Sequence, residues 1–328
     1  MESSRARGRR ARPSRTRPLL YTALAVVTIV GGTAAGTVYV KAQAHTGTSP
    51  VSSTAQPSAT SSASANGEES VEPVAEPTVD LDSLLAKAMK SVPVSGDAKV
   101  SVAVLDLDSG DSASYGDGSF DTASIVKVDI LATLLLQHQE AGTRLSAQEK
   151  AYATTMIENS DNASASALWD IIGKAGGLDA ANKKLGLTDT EGGDGALWGL
   201  TQTTTADQLT LLRQVFGDDS ELSKTSRTYV QGLMGEIATD QHWGVSAAAD
   251  GSAWALKNGW LARSTTGLWD INSIGRVTAA DGHDYLVAVL SKGNSTQAKG
   301  ISLVEATAKA AVSVFTGGTS SASPSKGV

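Results

Sequence analysis

The period of the apolar residues changes twice along this chain, and that double change restricts the fold more than any other feature. Val100 to Leu107 alternates apolar and polar residues around Val102, Val104 and Leu107. After Asp108-Ser109-Gly110 a short strand around Ala113 to Tyr115 folds back on it as a hairpin. From Ser124 to about Glu140 the residues Ile125, Val128, Leu131, Leu134 and Leu135 recur at helical spacing, and Ala141-Gly142 ends the run. Helical stretches follow at Ser146 to Glu158, Ala163 to Lys174, Leu178 to Lys184 and Thr205 to Phe216. The period then returns to two over Ala253 to Lys257, Trp269 to Val277 and Tyr285 to Leu290, with turns at Gly267 and Asp281-Gly282, and Gly300 to Val314 reads as an amphipathic helix. Strands at both ends with helices between them predict a mixed α+β fold: an antiparallel sheet completed by the two ends, flanked by helices, with an all-α lobe inserted. A ligand site is expected in the cleft between the lobes.

The flanks divide the chain further. Residues 1–18 carry seven Arg against Glu2, a formal +6, so the total of −7 leaves about −13 for the remainder. An acidic remainder excludes a nucleic-acid partner and assigns the basic leader to a membrane surface. Residues 19–40 hold no charge, and 22 residues at about 1.5 Å each span a bilayer core of roughly 30 Å. The Arg excess places the leader in the cytoplasm and the rest of the chain outside. Two readings fit: a single-pass membrane anchor, favoured by the length of the run and by Lys41, or a signal cleaved after Ala44, at Ala42-Gln43-Ala44. Residues 41–79 are a Ser/Thr/Pro-rich spacer too poor in large apolar side chains to form a core, residues 80–316 are the folded domain, and 317–328 a Gly/Ser-rich tail.

The chain has no cysteine, which excludes disulfides, thiolate nucleophiles and Cys-ligated zinc together. His45, His138, His242 and His283 are scattered singly, so no metal or other cofactor is expected, and no G-x-S-x-G elbow accompanies them. Chemistry is instead carried by three blocks in a fixed order: Ser124-Ile-Val-Lys127, Ser160-Asp161-Asn162 and Lys257-Asn258-Gly259. A serine hydroxyl is a poor nucleophile until its proton is removed, and residues three apart on a helix share a face, so Lys127 reaches Ser124. Lys127 acts as a base only if burial or a second cation, for which Lys257 is the candidate, lowers its proton affinity. Asp121 or Thr122 is the expected helix cap.

Ser160, at a corner between helices, is placed to pass a proton to a leaving group, and Asn162 to hold a substrate carbonyl, while Asp161 braces the corner. Gly259 permits close approach of a ligand backbone to the strand, and the N–H groups of Trp260 and Ser124 form the candidate oxyanion hole. Each block also has a plain structural reading: a helix turn that happens to hold Ser and Lys, a capped corner, and a strand end turning at Asn-Gly. Arg263 and Arg276 are either helpers for a substrate carboxylate or ordinary salt-bridged arginines.

Taken with Thr155-Met156 ahead of the second block, Thr203-Thr204-Thr205 opening a helix and the strand Leu286-Val287-Ala288-Val289-Leu290, the blocks resemble the penicillin-recognising serine hydrolases, class A β-lactamases above all, over roughly Val79 to Gly317. The resemblance implies Ser124 as acylated nucleophile, Lys127 as its base, Ser160 as proton shuttle and Lys257 as electrostatic anchor for a substrate carboxylate. It implies a monomeric, membrane-tethered extracellular enzyme acting on β-lactams or a peptidoglycan-derived acyl donor. Three departures stand out. The interval between the first two blocks is short, which predicts a trimmed helical lobe. Asn258 replaces the family's Thr or Ser, leaving an amide as the donor to a carboxylate. Between Leu187 and Thr203 no E-x-x-L-N loop supplies a deacylating glutamate: Glu191 is followed by Gly192-Gly193, and Asp189 and Asp194 fit no better. Slow deacylation follows from that last departure. The competing readings are a degenerate binding module for wall peptide or β-lactam, and an esterase or amidase differing only in pocket shape.

Overall fold

The computed structural model describes residues 79–317. The basic leader, the apolar run, the spacer up to residue 78 and the tail after Gly317 lie outside the described residues. No helix among the described residues is long and apolar enough to cross a membrane.

The two changes of period map onto the architecture. α1 (Leu81–Met89) precedes the hairpin of β1 (Lys99–Asp106) and β2 (Ser112–Tyr115), followed by β3 (Phe120–Asp121) and a 3₁₀ turn, Ala123–Ile125. The helical region comprises α2 (Val126–Glu140), α3 (Ala147–Glu158), α4 (Asn162–Ile172), α5 (Lys174–Leu185), α6 (Thr205–Phe216) and α7 (Lys224–Gly235), with the short β4 (Gln202–Thr203) pairing β3. β5 (Trp254–Ala262), β6 (Trp269–Thr278), β7 (Asp284–Asn294) and α8 (Gln297–Thr316) complete the chain. The five-stranded sheet has the order β2-β1-β7-β6-β5, all antiparallel, so the first strand of the domain pairs with its last and β5 forms an edge. This is the expected α+β fold.

Alternation along the strands divides the core in two. Val102, Val104, Val287 and Val289 face α1 and α8, meeting Leu85, Met89, Leu303, Val304 and Ala308. Leu105, Leu286, Ala288 and Leu290 face the helical side, where they join Ile125, Leu131 and Leu211. Truncating any of these leucines to Ala costs about 2–5 kcal/mol.

Three elements differ from the sequence expectation. α2 is buried on every side from Val126 to Leu136, not amphipathic, because helices pack around it, and Lys127, Asp129 and Thr133 go inside with it. β5 continues through Asn258-Gly259 to Ala262, since Asn258 pairs with Ser273 and Gly259 with Asn272, where a turn was one reading. α1 and α7 have no counterpart in the sequence reading: α1 is only 9 residues long, and α7, capped by Ser223, contains Gly232 and Gly235, which are poor helix formers.

Candidate active site

The turn that carries Ser124, the expected nucleophile, is held from behind rather than capped. Thr122 makes no capping bond and its Oγ1 is buried without a partner, while the Asp121 carboxylate is taken by Gln202 Nε2 and Arg263. Neither expected cap forms; the carbonyls leading into the turn are instead held by Asn272 of β6, whose Nδ2 donates to those of Asp121 (2.9 Å) and Thr122 (3.0 Å) while its Oδ1 accepts from Ser291 N (3.1 Å). Ala123 sits at φ 48°, a left-handed conformation that costs a residue with a Cβ about 1–2 kcal/mol and turns the chain sharply into Ser124. The edge strand presses on this turn: a Cβ at Gly259 would lie 2.8 Å from Ser124 N and 2.8 Å from Thr122 O. The close approach that Gly259 permits is therefore to the chain's own nucleophile turn, where a ligand backbone was expected.

Lys127 is completely buried and its Nζ is the hub of the site. As an ammonium it shares its three hydrogens among Ser124 Oγ (2.9 Å), Ser160 O (2.7 Å), Ser160 Oγ (3.1 Å) and Asn162 Oδ1 (2.8 Å). Ser160 adopts φ 55°, which brings its carbonyl and hydroxyl to the same ammonium. Asp161 caps α4 by accepting from Ser164 N (2.7 Å), the bracing role expected of it. Asn162 lines the cleft; its Oδ1 accepts from Lys127, and its Nδ2 is the group to which the sequence reading assigns a substrate carbonyl. Burial lowers Lys127 to about 7, with the Asp161 charge acting in the opposite direction.

Lys257 is also fully buried, and its Nζ donates to Ser160 Oγ (3.1 Å) and to Asn258 O (2.9 Å). Burial first, and then the charge of Lys127, push it well below the lysine range. The expected second cation is present, but burial alone accounts for the lowering of Lys127, and the repulsion bears on Lys257.

Asn258 requires a correction. As a neighbour of Lys257 on a strand its side chain points to the other face. Nδ2 donates there to Gln241 O (2.8 Å) and Trp243 O (3.0 Å), and the residue is fully buried. It fastens the Gln241–Trp243 segment to the sheet and offers nothing to a substrate carboxylate.

These groups open into a cleft of about 610 Å³ lined by Ser124, Asn162, Ser166, Leu197, Trp198, Leu200, Trp260 to Thr265 and neighbouring small residues. Trp198 was missed in sequence because the Leu187–Thr203 stretch was read for carboxylates alone. Its ring lies 5.0 Å from Lys127 Nζ and its Nε1 donates to Ser166 Oγ (3.1 Å), so it closes the cleft over Lys127. Among the described residues no Asp or Glu lines this cleft; Glu191 pairs backbone to backbone with Gln202. Arg263 does line it and is ion-paired with Asp121, while Arg276 pairs with Asp284 (3.3 Å) and stacks on Phe216 (5.5 Å) away from it. A larger cavity, about 960 Å³, lies against α1 and α8 and holds none of the three blocks. His283 borders that cavity and is not solitary in space: its Nδ1 is 3.3 Å from Asp106 Oδ2 and 3.4 Å from Asp108 Oδ2, a grouping of separate loops that spacing alone does not show.

Comparison with known proteins follows the same lines. Residues 136–315 match the profile of the Beta-lactamase enzyme family. The fold is similar to that of PBP-A, at 22% identity and a TM-score of 0.62, covering 72% of this chain and 96% of that one. A PBP-A L158E mutant solved as an acyl-enzyme complex with penicillin G gives 21% identity and a TM-score of 0.62, with 72% and 97% covered. A class A β-lactamase representative from Bacteroides cellulosilyticus DSM 14838 gives 16% identity and a TM-score of 0.63, with 73% and 100% covered. No curated protein matches the chain.

Proposed function

Since the chain belongs to the Beta-lactamase enzyme family, we propose that it is a serine hydrolase in which Ser124 is acylated, Lys127 is the general base, and release of the acyl group is slow. The observation that carries this reading is the 2.9 Å bond from a buried Lys127 Nζ to Ser124 Oγ. As a neutral amine Lys127 takes the Ser124 proton when Oγ attacks a carbonyl carbon, and the backbone N–H groups of Ser124 and Trp260, both on the cleft, receive the developing oxyanion. Ser160 Oγ stands within 3.1 Å of both Lys127 and Lys257 and relays the proton to the leaving group. Deacylation needs a second base to activate water, and among the described residues no carboxylate lines the cleft to serve as one. The acyl-enzyme therefore persists.

β-Lactams and wall-peptide acyl donors are the substrates the family reading supplies. The 22-residue uncharged run behind an arginine-rich leader supports a membrane-tethered enzyme working outside the cell. Intact-mass spectrometry of the purified chain, incubated with penicillin G and separately with a p-nitrophenyl ester, tests the proposal. A long-lived adduct absent from Ser124→Ala is expected, and absence of an adduct from both donors refutes it.

A further inference from the structure

Once the leaving group has taken its proton through Ser160, Lys127 is again a neutral amine, and in the free protein its Nζ stands 2.9 Å from Ser124 Oγ, the oxygen that carries the acyl group. Among the described residues that line the cleft no carboxylate competes with it as a base for water. How long the acyl group stays then depends on whether water reaches Nζ. Four oxygens already surround that atom, one each from Ser124 and Asn162 and two from Ser160, and the indole of Trp198 lies 5.0 Å from it. Lys127 is completely buried although Ser124 and Asn162, which it touches, both line the cleft.

The indole is fixed from two sides. Its Nε1 donates to Ser166 Oγ (3.1 Å), one helical turn beyond Asn162 on α4. The 3₁₀ turn Trp198–Leu200 also leans on the turn that carries Ser124: a Cβ at Gly199 would lie 3.9 Å from Ala123 Cα, and Thr122 N donates to Thr201 O (2.9 Å). An indole face favours an ammonium, but water solvates one better, and the lowering of Lys127 to about 7 shows burial to be the larger effect.

We propose that Trp198 is a positioning residue for the second half of the reaction: its indole, latched to Ser166, keeps water off Lys127 and so prolongs the acyl-enzyme. The inference rests on the reading of Ser124 as nucleophile and Lys127 as base. With the indole gone, a water beside Nζ gives a proton to the amine as its oxygen bonds to the acyl carbon. The bond from that carbon to Ser124 Oγ then breaks, Oγ takes the proton from Lys127, and a free carboxylic acid leaves.

The test follows the lifetime of the adduct. The full chain, Trp198→Ala and Ser166→Ala are acylated with penicillin G and separately with p-nitrophenyl acetate, excess donor is removed, and the remaining adduct is timed by intact mass. The pH profile of the nitrophenol burst is recorded for each protein. Trp198→Ala is expected to shorten the life of the adduct at least about tenfold and, because water now reaches the ammonium, to move the inflection of the burst up by about one pH unit. Ser166→Ala cuts the latch and keeps the indole, so it should shift both readouts the same way by less, and it decides alone if Trp198→Ala does not fold. Lifetimes within about twofold of the parent in both variants overturn the inference and leave Ser124 and Lys127 in their roles. A shorter life with an unmoved inflection overturns it too, since release then does not run through a hydrated Lys127. A folded Trp198→Ala that no longer acylates does the same. No adduct in the parent chain removes the underlying reading as well.

Discussion

The base at the centre of this site sets a pH dependence that can be worked through in advance. An ordinary lysine near 10.5 is neutral in only about one molecule in three thousand at pH 7, whereas burial brings Lys127 to about 7, where half is neutral. Burial thus supplies about a thousandfold more free amine at neutral pH. The rate constant for acylation of Ser124 should rise roughly tenfold from pH 6 to pH 8 and level off above. The assay is the burst of nitrophenol from a p-nitrophenyl ester at constant ionic strength, checked by the mass of the adduct. Lys127→Arg keeps the charge and cannot surrender it, so its burst rate should fall by about 10²–10⁴ at pH 8. Asp161→Asn retains a capping oxygen for α4 and removes the carboxylate that favours the ammonium, so the inflection should move to lower pH. A rate that is flat from pH 6 to pH 8, or an inflection above about 9, would refute the assignment of Lys127 as a dry general base.

Three further outcomes follow from the same structure. Burial raises the Asp129 carboxyl to about 7, above its unfolded value, so stability declines as pH climbs from about 4 to 7 and stays low above; Asp129→Asn should gain on the order of 2–4 kcal/mol at pH 8 and less than half of that at pH 5 in urea unfolding, and equal gains at both would count against it. Gly259→Ala sets a methyl 2.8 Å from Ser124 N, so acylation should drop at least about tenfold with about 1–3 kcal/mol of destabilisation; an unchanged burst rate would show that β5 does not position the nucleophile. Asn272→Ala frees two buried carbonyls ahead of Ser124 and should cost about 1–3 kcal/mol in thermal unfolding while slowing acylation more than substrate binding, whereas a change in KM alone would contradict a positioning role.

The fold was legible because its signals are local. Val102 and Val104 alternate along β1 and mark one apolar face, and the helical run from Ile125 to Leu135 is long enough to declare itself; that the face bearing Leu105 is buried as well emerges only from the packing. Ser124, Lys127, Ser160 and Lys257 were legible for another reason: their chemistry needs those atoms in that order, and the structure joins them through one ammonium and one hydroxyl. Asn258 misled because a motif position states which residue stands there and not which face of the strand it turns to; the Gln241–Trp243 segment that captures its amide lies 15 to 17 positions away. Asn272 carried a readable sign, an amide in the middle of the Trp269–Val277 run, but its partners are about 150 positions off and no local pattern names them. Trp198 is the same case, since an indole becomes part of the site only when the loop brings it over Lys127.

The distribution of unfavourable local features bears on whether this is an enzyme or a binding module. Of the three non-glycine residues at positive φ among the described residues, Ala123 precedes Ser124, Ser160 faces both lysines, and Lys174 is elsewhere. Two lysines are fully buried among the described residues, and both touch Ser160. Each positive φ costs about 1–2 kcal/mol and each buried amine favours loss of its proton. A recognition cleft requires none of this: its walls, Trp260 and Leu197, lie outside the strained turn. What the strain and burial achieve together is an amine of lowered proton affinity within reach of a serine hydroxyl whose turn is clamped by Asn272, the arrangement the proposed proton transfer needs. The missing carboxylate weakens the step after acylation and leaves this one whole, so the geometry argues for a working nucleophile with slow release over a cleft that merely binds.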